Sequence, residues 1–175
     1  MTAELRPIPD DDIDALFAML LDPSLAVNTG SIPYPIDRAW AAKRLADRRR
    51  EEIEGTRAEH GLYEGRKLVG SACWFFNDEG HMEIGYAVHK DHRGRGLATV
   101  AAGLAIDWVR ATGHDGPIYA QYFQDNPASG RVLEKLGFAL VGETEGYSPA
   151  RFGTAPAYIV KLLPQGDKGN KGRDV

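Results

Sequence analysis

The spacing of hydrophobic residues in the first third of the chain predicts two amphipathic helices. Asp10, Asp11 or Asp12 is a candidate cap for a first helix, and its apolar residues recur at helical spacing: Ile13, Leu16, Phe17 and Leu20. A second helix is predicted to begin after Asp37 and to run to about Ile53. A Pro-rich stretch at residues 31–35 separates the two helices.

Strand-like runs bounded by turn residues follow these helices. The predicted strands cover residues 3–8, 59–64, 68–76, 82–88, 117–123, 138–143 and 155–163. Leu97 opens a further amphipathic helix that stops at Gly113, and Asn126-Pro127 has the cap-then-proline pattern of a helix start. The resulting order, βααβββαβαββ, predicts an α/β fold in which helices flank a mixed sheet.

The composition is that of one folded domain. The chain has 175 residues, of which 43% are hydrophobic and 26% charged, and this supplies enough apolar side chains for a buried core. We assign the domain to residues 1–163. Residues 164–175 are rich in Gly, Lys and Asp with almost no apolar side chains, which predicts a disordered tail.

Charge, hydropathy and cysteine content narrow the class of protein. The net charge of −4 argues against a nucleic-acid partner. No apolar run approaches the roughly 20 residues that span a bilayer, so no membrane partner is expected. Cys73 is the single cysteine, which excludes an internal disulfide and suits a reducing compartment. We therefore expect a cytoplasmic protein.

A glycine-rich turn between a predicted strand and a predicted helix carries the clearest chemical signal. It reads His92-Arg93-Gly94-Arg95-Gly96-Leu97-Ala98. A helix start offers unpaired backbone N–H groups, glycine lets the backbone approach a ligand, and arginines add positive charge. The turn lacks the Gly-Lys-Ser/Thr of a P-loop and the spacing of a dinucleotide fingerprint. By itself it fits a diphosphate site and a tight turn with solvated arginines equally well.

Three segments together resemble the GNAT superfamily of N-acetyltransferases. Arg93-x-x-Gly96-x-Ala98 is similar to the coenzyme A signature of that family, (Gln/Arg)-x-x-Gly-x-(Gly/Ala). Glu83–Val88 looks like its fourth strand, and Asn126–Phe138 resembles its last core helix with the strand that follows. Residues 32–40 are similar to the Rim-type branch, the ribosomal-protein N-terminal acetyltransferases.

The resemblance implies a GNAT fold, in which about four helices flank a sheet that is splayed between its fourth and fifth strands. Acetyl-coenzyme A (acetyl-CoA) would bind in that gap as a co-substrate, with Asn126 contacting its pantetheine arm. The arm would also pair with the backbone of Tyr86, Ala87 and Val88. The pyrophosphate would bind N–H groups of Arg93, Gly94, Arg95, Gly96, Leu97, Ala98 and Thr99.

Acetyl transfer to an amine needs a neutral amine, a stabilised oxyanion and a proton for the leaving thiolate. Glu83 is the candidate base by resemblance to Rim-type members; the alternative is an ion-paired or solvated strand residue. Ser129 is the candidate donor near the coenzyme sulfur, or else an ordinary first-turn serine. Many family members have a tyrosine acid where this chain has Leu133. Other candidate donors, or else core and edge aromatics, are Tyr86, Tyr119 and Tyr122.

The acceptor groove is expected, by resemblance, between residues 28–34 and a final hairpin around residues 146–154. Tyr34, Trp74 and Phe76 are its candidate lining residues. Trp74 and Phe76 fit equally well into the core of a sheet that is covered on both faces.

Two further clusters are given structural interpretations. His81, His89 and His92 flank a strand whose length separates the first from the last, so no metal site is expected. The run Arg48-Arg49-Arg50 is expected to lie on a solvated helix face.

The sequence as a whole predicts an acetyl-CoA-dependent N-acetyltransferase that acts on a primary amine, either a protein N-terminus or a small molecule. The alternative is a non-catalytic acyl-CoA-binding module, which Leu133 in place of the tyrosine keeps open. The expected partners are acetyl-CoA, an amine acceptor and, since many members of the family are dimers, a second copy of the chain.

Overall fold

Seven strands form one mixed sheet in the computed structural model, which describes residues 2–164. In chain order they are β1 (Ala3–Arg6), β2 (Arg57–Glu64), β3 (Lys67–Phe76), β4 (Met82–Val88), β5 (Ile118–Phe123), β6 (Ala139–Ser148) and β7 (Gly153–Leu162). The spatial order is β1-β2-β3-β4-β5-β7-β6, and all neighbours are antiparallel except the parallel pair β4–β5.

The helices are α1 (Ile13–Leu20), α2 (Pro23–Ala26), α3 (Arg38–Glu54), α4 (Leu97–Ala111) and α5 (Pro127–Lys135), with 3₁₀ turns at Asp10–Asp12, Lys90–His92 and Pro149–Arg151. Side-chain caps fix several of their starts. The carboxylates of Asp22 and Asp37 accept hydrogen bonds from backbone N–H groups at the starts of α2 and α3. Each cap satisfies an N–H group that has no partner inside its helix.

Two hydrophobic layers hold the helices against the sheet. On one face, α4 and α5 pack against buried residues of β2, β3, β4 and β5. Ala101, Ala102 and Ala105 of α4 are completely buried, and their small side chains let the helix lie close to the strands. On the other face, α1, α2 and α3 cover a second cluster that includes Tyr63 and Leu68. The sheet is therefore covered on both faces.

The parallel pair β4–β5 has the least extensive strand pairing in the sheet. The two strands pair at a single position, Glu83 with Tyr119. By contrast, β5 pairs with β7 along its whole length, from Ile118 to Phe123. A gap therefore opens between β4 and β5 beyond Glu83. The predicted fold class and the predicted splay between the fourth and fifth strands are both confirmed.

Differences from the predicted elements are local. Helix α2 was not predicted, because four residues are too few to show a helical period. Strand β6 extends to Ser148 rather than ending at residue 143, and its alternating exposed and half-buried residues suit an edge strand. The predicted tail, 164–175, lies outside the described residues except for Pro164. Within residues 2–164, no helix has both the length and the apolar content that crossing a bilayer would require.

A close backbone contact beside the gap gives a test of the fold. Gly70 pairs with Val88, and a Cβ at position 70 would lie 2.4 Å from the carbonyl oxygen of Ala87. That oxygen belongs to the backbone of β4 and cannot move without disturbing the strand. We expect Gly70→Ala to lower the free energy of unfolding by about 1–3 kcal/mol, a typical cost of overpacking, in urea titrations.

The matched control for this substitution is Gly142→Ala in β6. A Cβ at position 142 would meet no atom within 4 Å, so its effect should stay within about 0.5 kcal/mol. Equal stability of Gly70→Ala and the unsubstituted protein would contradict the close approach of β3 to β4.

Candidate active site

A cleft of about 790 Å³ passes through the gap between β4 and β5. Helices α4 and α5 line it on one side of the sheet, and α3, residues 28–32 and the β6–β7 hairpin line it on the other. It brings together twelve of the predicted site residues: Glu83, Tyr86, Ala87, Val88, Arg93, Gly94, Gly96, Leu97, Ala98, Thr99, Asn126 and Ser129.

The glycine loop, residues 93–98, forms one end of this cleft. Gly94 and Gly96 have φ angles of 75° and 78°, in the left-handed region that glycine adopts most easily. A Cβ at either position would meet no atom within 4 Å, so the backbone here borders open space. The first N–H to bond within α4 is that of Thr99, which donates to the oxygen of Gly96 at 3.1 Å. Arg93 N–H donates to Lys90 at 3.4 Å.

The two ends of the predicted N–H run thus already have acceptors in the protein. The N–H groups that remain for an anion are those of residues 94–98, at the positive end of the α4 dipole. An open space beside left-handed glycines at a helix start fits a diphosphate.

The Arg93 side chain turns back toward the protein. Its guanidinium donates to the Asp22 carboxylate at 2.5 Å, to Ser24 Oγ at 2.8 Å and to the Val88 carbonyl oxygen at 3.3 Å. Burial alone would raise the pKa of Asp22, but hydrogen bonds from Ser24 and the Arg93 charge hold that pKa below its usual range. Arg93 therefore ties the glycine loop to the start of α2.

Arg95 is similarly engaged. Both of its terminal nitrogens donate to the Glu64 carboxylate, at 2.8 and 2.9 Å, and His92 Nδ1 lies 3.0 Å from one of them. Arg95 does not line the cleft. Because both arginines are paired with carboxylates, the attraction of this loop for an anion rests mainly on its backbone.

Glu83 lies at the other end of the gap, where β4 and β5 meet. Glu83 is only 7% exposed, and Asn77 Nδ2 donates to Glu83 Oε2 at 3.2 Å. Burial raises the pKa of this carboxyl, and the Asn77 hydrogen bond and the Arg57 charge offset only part of the rise. A carboxylate that is hard to ionise is a better proton acceptor once it has ionised.

Tyr86 and Ser129 meet across the cleft wall. The Tyr86 hydroxyl lies 2.8 Å from Ser129 Oγ and also reaches the Ser129 carbonyl oxygen at 3.2 Å. Burial raises the pKa of Tyr86 to about 12. Asn126 caps α5, since its side-chain oxygen accepts from Ser129 N–H at 3.4 Å. Leu133 is 1% exposed and belongs to the core, so no side chain replaces the expected tyrosine at this position.

A family model for the acetyltransferase (GNAT) domain matches residues 3–139 of the chain. The chain belongs to this family. The family predicted from residues 93–98 and the two flanking segments is therefore confirmed.

Relatives by sequence are N-acetyltransferases. The uncharacterized N-acetyltransferase YjdG of Bacillus subtilis is 37% identical over 71 residues, or 41% of this chain and 42% of that protein. The ribosomal protein uS5-alanine N-acetyltransferase of Escherichia coli is 37% identical over 65 residues, or 37% of this chain and 31% of that protein. The uncharacterized N-acetyltransferase p20 of Bacillus licheniformis is 24% identical over 91% of both chains. Two of these matches therefore span less than half of the relative.

Solved structures share the fold. RimL, a ribosomal L7/L12 α-N-protein acetyltransferase in complex with coenzyme A, has a TM-score of 0.83 at 16% identity and covers 95% of this chain and 97% of its own. The microcin C7 self-immunity acetyltransferase MccE, in complex with acetyl-CoA and AMP, has a TM-score of 0.80 at 13% identity and covers 92% of both chains. At such identities the likeness shows a common GNAT fold.

The three predicted acceptor residues do not line the cleft. Side chains alternate along β3, so Trp74 and Phe76 lie on the α4 face of the sheet while Phe75 lines the cleft. Trp74 is buried against Trp108 of α4, with ring centroids 6.1 Å apart. The alternative interpretation, that Trp74 belongs to the core, is the one that holds. Tyr34 is 41% exposed.

Further residues that line the cleft, on the sheet face covered by α3, were not predicted. They are Arg44, Arg57, Glu59, Ser71, Cys73 and Phe75. Arg57 and Glu59, on either side of buried Ala58, form a polar–apolar alternation that is visible in the sequence. Alternation alone, however, does not tell which face of a strand borders a cleft.

Part of the arginine run is buried, contrary to expectation. The Arg50 side chain is 63% exposed, whereas that of Arg48 is 14% exposed and contacts Glu51 and Glu59. The difference follows from the helical period, which turns neighbouring residues to different faces of α3.

His81 is separated from the other two histidines by the length of β4, as the sequence predicts. The rings of His89 and His92 lie 5.7 Å apart, and His81 stacks on Tyr119 instead. Within residues 2–164, no three His, Cys, Asp or Glu side chains are grouped as metal ligands.

The glycine loop generates a test of coenzyme binding. We expect Gly96→Glu to abolish acetyl-CoA binding in isothermal titration, because it places a carboxylate at the α4 N-terminus where a diphosphate would bind. The matched control is Gly113→Glu at the opposite end of α4, where φ is 88° and a Cβ likewise meets no atom within 4 Å. The Gly113→Glu variant has the same backbone strain from a positive φ and should keep its affinity for acetyl-CoA. Full affinity in a folded Gly96→Glu variant would remove the loop from the site.

Proposed function

We propose that this chain is an acetyl-CoA-dependent N-acetyltransferase that transfers the acetyl group to a primary amine by direct attack of the amine on the thioester. The observation that carries the proposal is the gap between β4 and β5. The glycine loop lies at one end of this gap, and a buried carboxylate, Glu83, lies at the other. Family membership supports the same reaction class.

The residues present fit acetyl-CoA, which supplies an activated acetyl thioester when bound. The N–H groups of residues 94–98 would hold its pyrophosphate. Beyond Glu83, the edge of β4 that faces the gap has no partner strand, so the backbone of residues 86–88 is open to a pantetheine arm. Asn126 is placed on the cleft wall to contact the same arm.

Glu83 would serve as the base for the acceptor. An alkyl ammonium has a pKa near 10.4 and must lose a proton before it can attack. Glu83 would take that proton directly or through a water molecule, and its burial makes the ionised form a stronger acceptor. A backbone N–H near Val88 would stabilise negative charge on the acetyl oxygen.

Ser129 would donate a hydrogen bond to the leaving thiolate. Tyr86 lies 2.8 Å behind its Oγ and, with a pKa raised to about 12, stays protonated at neutral pH. Its single proton could be donated to Ser129 Oγ in place of the Ser129 carbonyl oxygen, which would leave the Ser129 proton for the cleft. The Ser129–Tyr86 pair would take the place of the tyrosine acid that many family members have at the position of Leu133.

The amine could belong to a protein N-terminus or to a small molecule. A non-catalytic acyl-CoA-binding module is the competing function. A thiol-release assay over a panel of amines and peptides separates the two, since a module would bind acetyl-CoA and release no thiol. The extent of the domain over residues 1–163, a homodimer and a cytoplasmic location remain predictions.

Replacing Glu83 by Gln tests the base. We expect kcat/KM to fall about 100-fold or more at neutral pH, a typical effect of losing a general base. The loss should shrink as the pH approaches the pKa of the amine itself, because a neutral amine needs no base. The pH–rate profile measures this, and Glu143→Gln, at an exposed position of β6, is the matched control. Superimposable profiles for Glu83→Gln and the unsubstituted enzyme would exclude Glu83 as the base.

The same variant has an expected effect on stability. The folded-state pKa of Glu83 is raised above the ordinary value of 4.5. Protonation of Glu83 therefore favours the folded protein, and this contribution to stability is fully present below pH 4.5 and is lost as the pH rises through the folded-state pKa. Glu83→Gln should therefore gain thermal stability over the unsubstituted protein between pH 4 and pH 8. If Glu83 were only structural, its loss would lower activity by lowering stability. Lower activity without lower thermal stability at pH 8 would therefore indicate a role in the reaction.

The Ser129–Tyr86 pair generates a double-mutant test. Ser129→Ala and Tyr86→Phe should each lower kcat about tenfold or more, with little change in the KM for acetyl-CoA. The double variant should be no slower than the slower single variant, because both act through one hydrogen bond. Independent, multiplying effects in thiol-release assays would show that the two hydroxyls do not act together.

A further inference from the structure

Arg57, Phe75 and Glu83 lie on one line across three strands. Arg57 of β2 pairs with Phe75 of β3, and Phe75 pairs with Glu83 of β4. All three line the acceptor side of the cleft. Adjacent strands are about 4.8 Å apart, so the outer two residues are about 10 Å apart at Cα. The guanidinium carbon of Arg57 lies 4.3 Å from the centre of the Phe75 ring, which brings the cation toward Glu83.

Glu59, on the same strand as Arg57, is already engaged by other groups. Glu59 Oε2 accepts from Arg44 at 2.9 Å and lies 3.3 Å from Arg48 Nε, while Glu59 Oε1 accepts from Ser71 Oγ at 3.4 Å. Both oxygens of Glu59 therefore have partners before any ligand binds.

Arg57 lacks a comparable partner. Its nearest carboxylate is that of Glu51, 4.0 Å from Nε, and Glu51 contacts Arg48 much more closely. Within the described part of the chain, no hydrogen bond holds the Arg57 guanidinium. The side chain is 26% exposed, so it is partly removed from water and still reachable from the cleft. Burial and the charges of Arg48 and Arg44 lower its pKa, in line with the lack of a hydrogen-bonded partner.

We propose that the acceptor amine carries a carboxylate, which Arg57 binds while the amine lies at Glu83. This inference rests on the proposed function and names the class of substrate for the same cleft. The guanidinium fork matches the two oxygens of a carboxylate. Phe75, between the two charged residues, offers an apolar surface to the carbon atoms that join amine and carboxylate. The cleft is thus complementary to a zwitterion.

Such a carboxylate could belong to an amino-acid-like small molecule or to an acidic side chain near a peptide N-terminus. Two matched pairs of acceptors distinguish these sources. The first pair is 4-aminobutanoate and 4-aminobutanamide, and the second is a short amidated peptide with Glu or Gln at position two. Within each pair only the negative charge differs.

We expect at least one pair to show a preference of about tenfold or more for the anionic member, the size of a charge-assisted hydrogen bond. The preference is measured as kcat/KM by thiol release and as Kd by isothermal titration into the coenzyme A complex. It should fall below about threefold in Arg57→Gln and persist in part in Arg57→Lys. Arg66→Gln, on the exposed β2–β3 turn, should keep it, and the affinity for acetyl-CoA should stay unchanged in all three variants.

The two readouts separate this inference from the proposed function. Equal turnover of both members of both pairs would overturn the inference and leave the acetyltransferase standing. A preference in Kd without any turnover would overturn the acetyltransferase proposal and leave the carboxylate-binding inference standing. A coenzyme A complex that binds neither anionic member more tightly, or a preference that survives Arg57→Gln, would also overturn it. If Arg57→Gln fails to fold, the comparison within each pair for the unsubstituted protein and Arg57→Lys still decides.

Discussion

The parting of β4 from β5 after one paired position is the constraint on which the whole site depends. Strand pairing would otherwise satisfy the backbone groups of residues 84–88 and close the sheet. Because β5 is held by β7 along its full length and β4 by β3, neither strand can move over to close the gap. The molecule therefore keeps an unpaired strand edge inside its own sheet, bordered by helices on one face and by a buried charge cluster on the other.

Helix α2 joins the two ends of this cleft, although it has only four residues. Arg93 binds Asp22 and Ser24 at its start. At its end, Ser148 Oγ donates to the Ala26 carbonyl oxygen at 3.3 Å, and Arg151 Nε donates to that of Val27 at 2.7 Å. The glycine loop and the β6–β7 hairpin are thus tied to one short element, which fixes the position of the loop relative to the hairpin.

The cleft wall formed by α3 and β2 also concentrates charge that a core would normally exclude. Arg44, Arg48 and Glu59 are largely buried, and each buried ion must recover its lost hydration through partners. Most of them do so with one another. Within residues 2–164, the buried Nε of Arg48 has no hydrogen bond. Glu83 accepts a single side-chain hydrogen bond and the Arg57 guanidinium makes none, and both of these residues face the cleft. Polar groups left under-satisfied beside open space are typical of a site that awaits a ligand.

Local patterns in the sequence were sufficient for the element order, the glycine loop at Gly96 and the family, because capping residues, glycine positions and hydrophobic periods act over a few residues. They also indicated Glu83 and Ser129, through resemblance to known strands and helices. They could not decide which strand face borders the cleft, so Trp74 was a candidate for both the acceptor groove and the core, while Phe75, which lines the cleft, was not a candidate. Nor could they show that Arg93 pairs with Asp22, 71 residues away, or that Arg57 lines up with Glu83, because such contacts depend on strand register and helix packing, which only the folded chain sets.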